Sequence, residues 1–322
     1  MADANIGQNV AMAWEAKVGT KPEDNVHTSH WALANLKASK NFKGVDGGRL
    51  IEIPLEIAIN TTFRSYDDSE TLDTTRVDVF DAAQYTWKQV AGTVVISEFE
   101  KAKNQGSGGK FDLLAGKLDN ADKSHDYALN AMLFGDGTGN GSKDFGGLKL
   151  LVPTTTNSGT VGGINRATFS FWRNQATAGT KTTAAYDNLV SAMTTNYNAC
   201  SVDYDGSHPT WAVCTSTIFA AYESKLVAIE QIVDKSSADI GFKNESLRFK
   251  GLKLGWDSQM SPTDSLYMLG DALKCYYQKG FWKKMFAPVD PANQTVDIYK
   301  ILTIGNFATG ASRNLGTVYT IT

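Results

Sequence analysis

Residues 128–152 read ALNAMLFGDGTGNGSKDFGGLKLLV. The stretch ends a periodic helix and opens a glycine loop. Upstream, Phe111, Leu114, Leu118, Ala121, His125, Ala128, Leu129 and Met132 recur at three- and four-residue steps, which places them on one helical face. The spacing predicts a helix over 110–134, roughly 25 residues at about 1.5 Å each and so about 37 Å long. Gly135 stops it, as a residue free to turn left-handed. The loop 135–147, GDGTGNGSKDFGG, is no dinucleotide fingerprint, because that needs a strand before it and a helix after it. It lacks the Gly-Lys-Ser/Thr of a phosphate loop. A calcium loop begun at Asp136 needs an acid at its twelfth position, which is Gly147. A structural turn is the expectation, with glycine supplying positive φ.

On the N-terminal side, residues 50–59 (LIEIPLEIAI) alternate: Ile51, Ile53, Leu55, Ile57 and Ile59 on one face, Glu52 and Glu56 on the other. Period two is a half-buried strand. Pro54 cannot donate a ladder hydrogen bond, which puts this strand at an edge or at a bulge. Residues 79–97 again suit strands. The polar segment between them predicts an extended hairpin tip over 58–80, with nothing apolar of its own to bury. Such a tip is expected to stay ordered only by leaning on a neighbouring copy. It carries the acidic run Asp67, Asp68, Glu70 and Asp73, flanked by Arg64 and Arg76. These six residues are the candidate intersubunit contact. Residues 1–48 read as an extended arm with at most short helices, such as 11–17.

On the C-terminal side, residues 148–183 show little periodicity beyond an aromatic cluster at Phe169, Phe171 and Trp172. Helices are predicted over 184–198 and 217–232, with a short buried strand, TWAVCT, at 210–215. Strands follow over 252–256, 266–269, 275–282, 283–287, 296–307 and 311–322. Two helices and then a run of strands indicate α+β rather than alternating α/β. No internal repeat is present.

The 322 residues carry a net charge of −3 and 42% hydrophobic residues, which suits a globular chain and argues against a dedicated nucleic-acid binder. No secretory signal and no membrane span are expected. Cys200, Cys214 and Cys275 match neither a metal knuckle nor a redox pair and read as free, buried thiols in a reducing compartment. His27 and His30 lie close together but lack further ligands, and the default for them is a solvated loop. His125, on the apolar side of the long helix, reads as a satisfied core histidine. No G-x-S-x-G occurs. No catalytic set, metal site or cofactor is expected, and the chain is read as a non-enzyme.

The order of elements, together with 128–152, GTVGGINRATFSFWRNQ at 159–175, and 250–256 with 265–270, resembles the major capsid protein of tailed double-stranded DNA phages, the Hong Kong 97-type capsid fold. The resemblance covers residues 45–322. It implies an arm at 1–48, strands with an extended loop at 49–97, a peripheral domain at 98–183 including the spine helix 110–134, an axial domain at 184–286, and a return to the peripheral sheet at 287–322. It also implies self-assembly into hexamers and pentamers around packaged DNA, which is held non-specifically. Scaffolding, portal and decoration proteins would be separate partners, and the shell would assemble in the host cytoplasm. Lys17, Lys21, Lys37, Lys40 and Lys43 of the arm are the expected DNA contacts. Some such proteins cross-link through a lysine in the hairpin. Residues 58–80 contain none, so no such link is expected here. An encapsulin-type compartment is the alternative, and a metal-dependent hydrolase built on Asp67 and Asp68 the third reading.

Overall fold

The computed structural model describes residues 24, 26–28, 30–103, 113–180, 188–201, 206–227, 247–260, 266–289, 291 and 293–321. In chain order the elements are α1 (Trp31–Ala38), β1 (Phe42–Val45), β2 (Leu50–Glu56), β3 (Phe80–Thr86), β4 (Lys88–Ser97), α2 (Glu98–Lys103), α3 (Leu113–Leu133), α4 (Leu148–Leu151), β5 (Thr160–Val161), β6 (Ile164–Asn165), β7 (Gln175–Thr180), α5 (Leu189–Cys200), β8 (Trp211–Cys214), α6 (Ser216–Val227), β9 (Arg248–Phe249), β10 (Leu252–Trp256), β11 (Leu266–Leu269), β12 (Leu273–Gln278), β13 (Lys284–Met285), β14 (Val296–Thr309) and β15 (Gly316–Ile321). They fall into two compact units.

The first unit takes its described residues from 1–28, 90–128 and 280–303. Here β14 pairs with β4 and β13, with Leu302 opposite Lys284 and Ile301 opposite Met285. Along β4 the buried residues alternate, Val94 and Ile96 in and Val95 out. They meet Ile301 and Tyr299 and pack under Leu114, Leu118 and Ala121 of α3. The helical period read in the sequence is thus the half-buried stripe of α3, and residues 110–112 of that prediction lie outside the described set. Charged pairs tie the rim. Lys117 bonds Glu100 at 2.7 Å, and Lys101 bonds both Glu98 and Asp297. Lys283 reaches Asp122 at 2.7 Å and Asp126 at 3.0 Å.

The second unit takes its described residues from 29–89, 129–279 and 304–322. Its larger sheet has the order β7-β15-β11-β8-β10-β9, with parallel pairing at β7–β15 and β8–β10. The strand β8 is buried at every position, as its continuous apolar run implies. One of its faces contributes Ala212 and Cys214 to a core with Met193 of α5, Ile218 and Tyr222 of α6, and Leu254, Leu266 and Met268. Its Trp211 meets Trp31 of α1 edge-on, with ring centroids 5.9 Å apart. In a smaller set, β12 pairs with β1 in parallel and with residues 305–309 of β14 antiparallel. β2 and β3 form a separate two-stranded antiparallel ribbon with Pro54 opposite Ala82, an edge position consistent with its missing N–H.

Residues 31–45, expected as extended arm, instead form α1 and β1. Trp31, Ala32, Leu33 and Leu36 are buried. The first turn of α1 has no cap from its own residues. Asp257 accepts from Ala32 N–H at 3.2 Å and Asn130 accepts from Leu33 N–H at 3.3 Å, while Asn130 Nδ2 donates to Asp257 at 2.9 Å. Orphan helix donors are satisfied by side chains about 100 and 225 residues away, which no local reading supplies. The predicted helix 11–17 lies outside the described residues.

All three cysteines are free and buried, as expected. Burial pushes the Cys200 thiol up to about 12 and the other two higher still. A folded-state pKa raised above the ordinary value of about 8.5 gives stability that is complete below pH ~8.5 and lost as pH rises toward the folded value. At pH 9.5 the unfolded chain gains about 1.4 kcal/mol per thiol. The native chain is therefore expected to resist thiol reagents at pH 8 and to unfold at a distinctly lower temperature at pH 9.5 than at pH 8. Rapid labelling of all three thiols before unfolding would contradict this burial.

Candidate assembly surface

The six predicted contact residues all lie between β2 and β3, in residues 57–79, which carry no strand pairing. The ladder closes with Ile57 N–H donating to Val79 O at 2.8 Å. Beyond that point the loop is held by its own polar groups. Arg64 Nη2 lies 3.0 Å from Glu70, and its guanidinium sits 4.8 Å above the Tyr66 ring. Tyr66 OH donates to Thr62 O and accepts from Asp73 N–H at 3.0 Å. Asp68 N–H donates to Asp67, and Thr75 N–H to Asp73. The Thr75 hydrogen bonds, with Arg64 adding a smaller attraction, hold the Asp73 carboxyl below the usual carboxylate range. Arg76 pairs with Asp78 at 3.2 Å. Arg64 is paired within the loop yet remains exposed, as do Asp67, Asp68 and Arg76. Among the described residues no group of three His, Cys, Asp or Glu side chains is placed to hold a metal.

The loop is not the wholly polar segment expected. Ile59 is 86% exposed, Phe63 85%, Leu72 65%, and Phe80 at the start of β3 75%. Their apolar character is plain in the sequence. Ile59 continues the alternating run beyond the last paired residue of β2, while Phe63 and Leu72 stand among the Thr, Asp and Ser that dominate the composition. Ile59, Phe63 and Leu72 thus place three large exposed apolar side chains within fourteen residues of the loop.

The glycine loop is structural. Gly137 and Gly141 adopt positive φ, as do Asn140 and Ser142. Asp136 accepts from Thr138 N–H at 2.9 Å. Lys88 Nζ donates to Gly137 O at 3.1 Å and to Asp144 O, pinning the loop from beneath. In the segment 159–175, Arg166 is 1% exposed and donates to Leu151 O (2.6 Å), Leu150 O (3.2 Å) and Trp172 O (3.3 Å), while Trp172 Nε1 donates to Val161 O. Desolvation lowers this guanidinium to about 10. The aromatic cluster at Phe169, Phe171 and Trp172 was evident in the sequence, but the buried Arg166 that donates to the Trp172 carbonyl was not.

The histidines divide. His27 is not the solvated residue expected. Its Nδ1 contacts Asp24 at 3.1 Å and its Nε2 contacts Ser124 of α3 at 3.1 Å. His125 is buried as expected, yet only half satisfied. Nε2 meets Thr303 Oγ1 at 2.8 Å, whereas Nδ1 makes no hydrogen bond and lies 3.6 Å from Asp126.

No protein-family model matches the chain, and no curated protein is similar to it in sequence. Solved structures are similar in fold. The cyanophage A-1(L) capsid asymmetric unit matches at TM-score 0.68 and 14% identity over 94% of this chain and 95% of the other. The mature capsid of bacteriophage PhiM1 matches at TM-score 0.59 and 12% identity over 94% and 90%. The holo-SrpI encapsulin complex of Synechococcus elongatus matches at 0.60 and 10% over 96% and 94%. The chain therefore has an α+β fold, and within that class it is the Hong Kong 97-type capsid fold, as the sequence resemblance implied.

Proposed function

We propose that the chain is the structural subunit of an icosahedral phage head, a major capsid protein that self-assembles into hexamers and pentamers around double-stranded DNA and carries no enzymatic activity. The observation that carries this reading is the loop 57–79, which exposes Ile59, Phe63 and Leu72 on a capsid-type fold. In this reading Arg64, Asp67, Asp68, Glu70, Asp73 and Arg76 form the polar part of a contact with the next subunit. Extended loops that join identical copies suit a closed shell, in which one chain makes several non-equivalent contacts. Residues 49–97, 98–183 and 184–286 are then the loop-bearing strands, the peripheral domain and the axial domain, and 287–322 completes them. The chain takes its place in the virion capsid after assembly in the host cytoplasm, with a separate scaffolding protein, portal and decoration protein as partners.

Electron microscopy of the purified protein under assembly conditions tests this. Rings of five or six copies, or closed shells, are expected. A monodisperse monomer at all concentrations would overturn the proposal. An encapsulin-type compartment is the second reading, favoured by the similarity to the encapsulin complex. The two are separated by what shells from the natural host hold, nucleic acid in the first and a protein cargo in the second.

A further inference from the structure

The β9–β10 hairpin closes through Lys250 and Gly251, both left-handed at φ 46° and 87°, with Leu252 opposite Phe249. A two-residue turn with both φ positive favours Asn-Gly, because a Cβ at the first position is strained. Lysine stands there instead. Its ammonium lies 5.4 Å from the centroid of Tyr197 and 5.9 Å from that of Phe249, and Nζ donates to Asn198 Oδ1 at 3.1 Å. Those partners position the charge without neutralising it. One residue further from the turn, Arg248 and Lys253 face each other directly across the ladder, and both are exposed. Like charges so placed, about 5 Å apart at Cβ, destabilise a strand pair. None of the three cations forms an ion pair with a described residue. In a chain of net charge −3, three cations within six residues with no carboxylate partner among the described residues are a local reversal of charge.

We infer that Arg248, Lys250 and Lys253 form a phosphate-binding face for the backbone of double-stranded DNA. This rests on the capsid reading for its biological sense, not for its chemistry. A duplex carries about one negative charge per 1.7 Å of axis, so a cross-strand cation pair with a third beside it neutralises several phosphates and releases their counterions. The face reads no sequence. Phe249 is buried, and the lysine covers the ring of Tyr197, which leaves no platform for a base. An acidic segment of a second copy is the less fitting occupant, because Glu70 of the loop is already paired with Arg64.

The test measures binding of a fluorescent 30-base-pair duplex to the unassembled full-length chain between about 50 and 200 mM salt. The wild type is expected to bind with a steep salt dependence, and R248S/K250S/K253S to lose at least tenfold in affinity, with a slope smaller by about 2 to 3. K253E replaces the opposed like charges by an opposite pair. It is expected to melt no lower than wild type and still to bind more weakly, which separates loss of the face from loss of the fold. Equal affinity and slope in wild type and both variants overturns the inference. So does binding that a synthetic peptide of residues 64–78 competes away as well as unlabelled duplex does. Shell formation by the triple variant is scored separately. Normal shells with weakened DNA binding support the inference, whereas a wild type that never forms shells counts against the capsid reading alone.

Discussion

Replacing Gly147 by alanine is expected to destabilise the second unit by more than about 4 kcal/mol, in the range that only severe packing faults reach. A Cβ on Gly147 would stand 2.5 Å from Leu133 O, 2.6 Å from Gly135 O and closer still to Met132 O. These are backbone atoms at the end of α3, and they move only if the last turn of the helix unwinds. The backbone of Gly147 itself is extended, at φ −91° and ψ −164°, a conformation open to any residue. The whole penalty is therefore steric. Gly141 is the control. Its φ is +70°, but nothing lies within 4 Å of an added Cβ, so Gly141→Ala should cost only about 1 kcal/mol. Thermal unfolding of the two variants should differ by roughly 5–10 °C. If Gly147→Ala melted with wild type, the close approach of the loop to the helix end would be wrong.

The triple variant I59S/F63S/L72S is expected to keep its fold and lose assembly. The three side chains are exposed in the single chain, so their removal should move its melting point by no more than a degree or two. If a neighbouring copy covers them, each contributes about 1.5–3 kcal/mol per contact. Losing even 5 kcal/mol per contact lowers the association constant more than 10³-fold, by the usual 1.4 kcal/mol per decade. Light scattering and micrographs at the wild-type assembly concentration should therefore show subunits without shells. Normal shells from this variant would sink the role assigned to the loop, whatever the fold.

Periodicity and punctuation made much of this chain legible. The four- and three-residue steps of Leu114, Leu118 and Ala121 are the half-buried, core-facing stripe of α3, and the alternation around Ile51 and Leu55 is the β2 ladder. The long helix ends at Leu133, close to the expected stop, but Gly135 is not left-handed: its N–H donates to Met132 O at 3.0 Å in a tightened last turn. These signals depend only on a residue and its near neighbours, because helical and strand geometry repeat within one or two turns. The thiols, too, were readable as buried from residue type alone.

Other features depended on residues far apart in the chain. Trp31 and Leu33 looked like part of a loose arm until Trp211, Asn130 and Asp257 were beside them. Arg166 carries no signal in the sequence for burial, and only the three carbonyls that converge on it account for its place in the core. All the glycines of 135–147 looked alike, and only the path of the chain separated the left-handed Gly141 from the crowded Gly147. By itself, the sequence determined the long helix, the β2 strand and the order of the later helices and strands, since local apolar spacing and turn chemistry suffice for that, but it did not show α1, β1 or β7. Tertiary structure alone decided which polar groups are buried, which glycine is irreplaceable and which apolar side chains stay in water, because each depends on atoms brought together from distant parts of the chain.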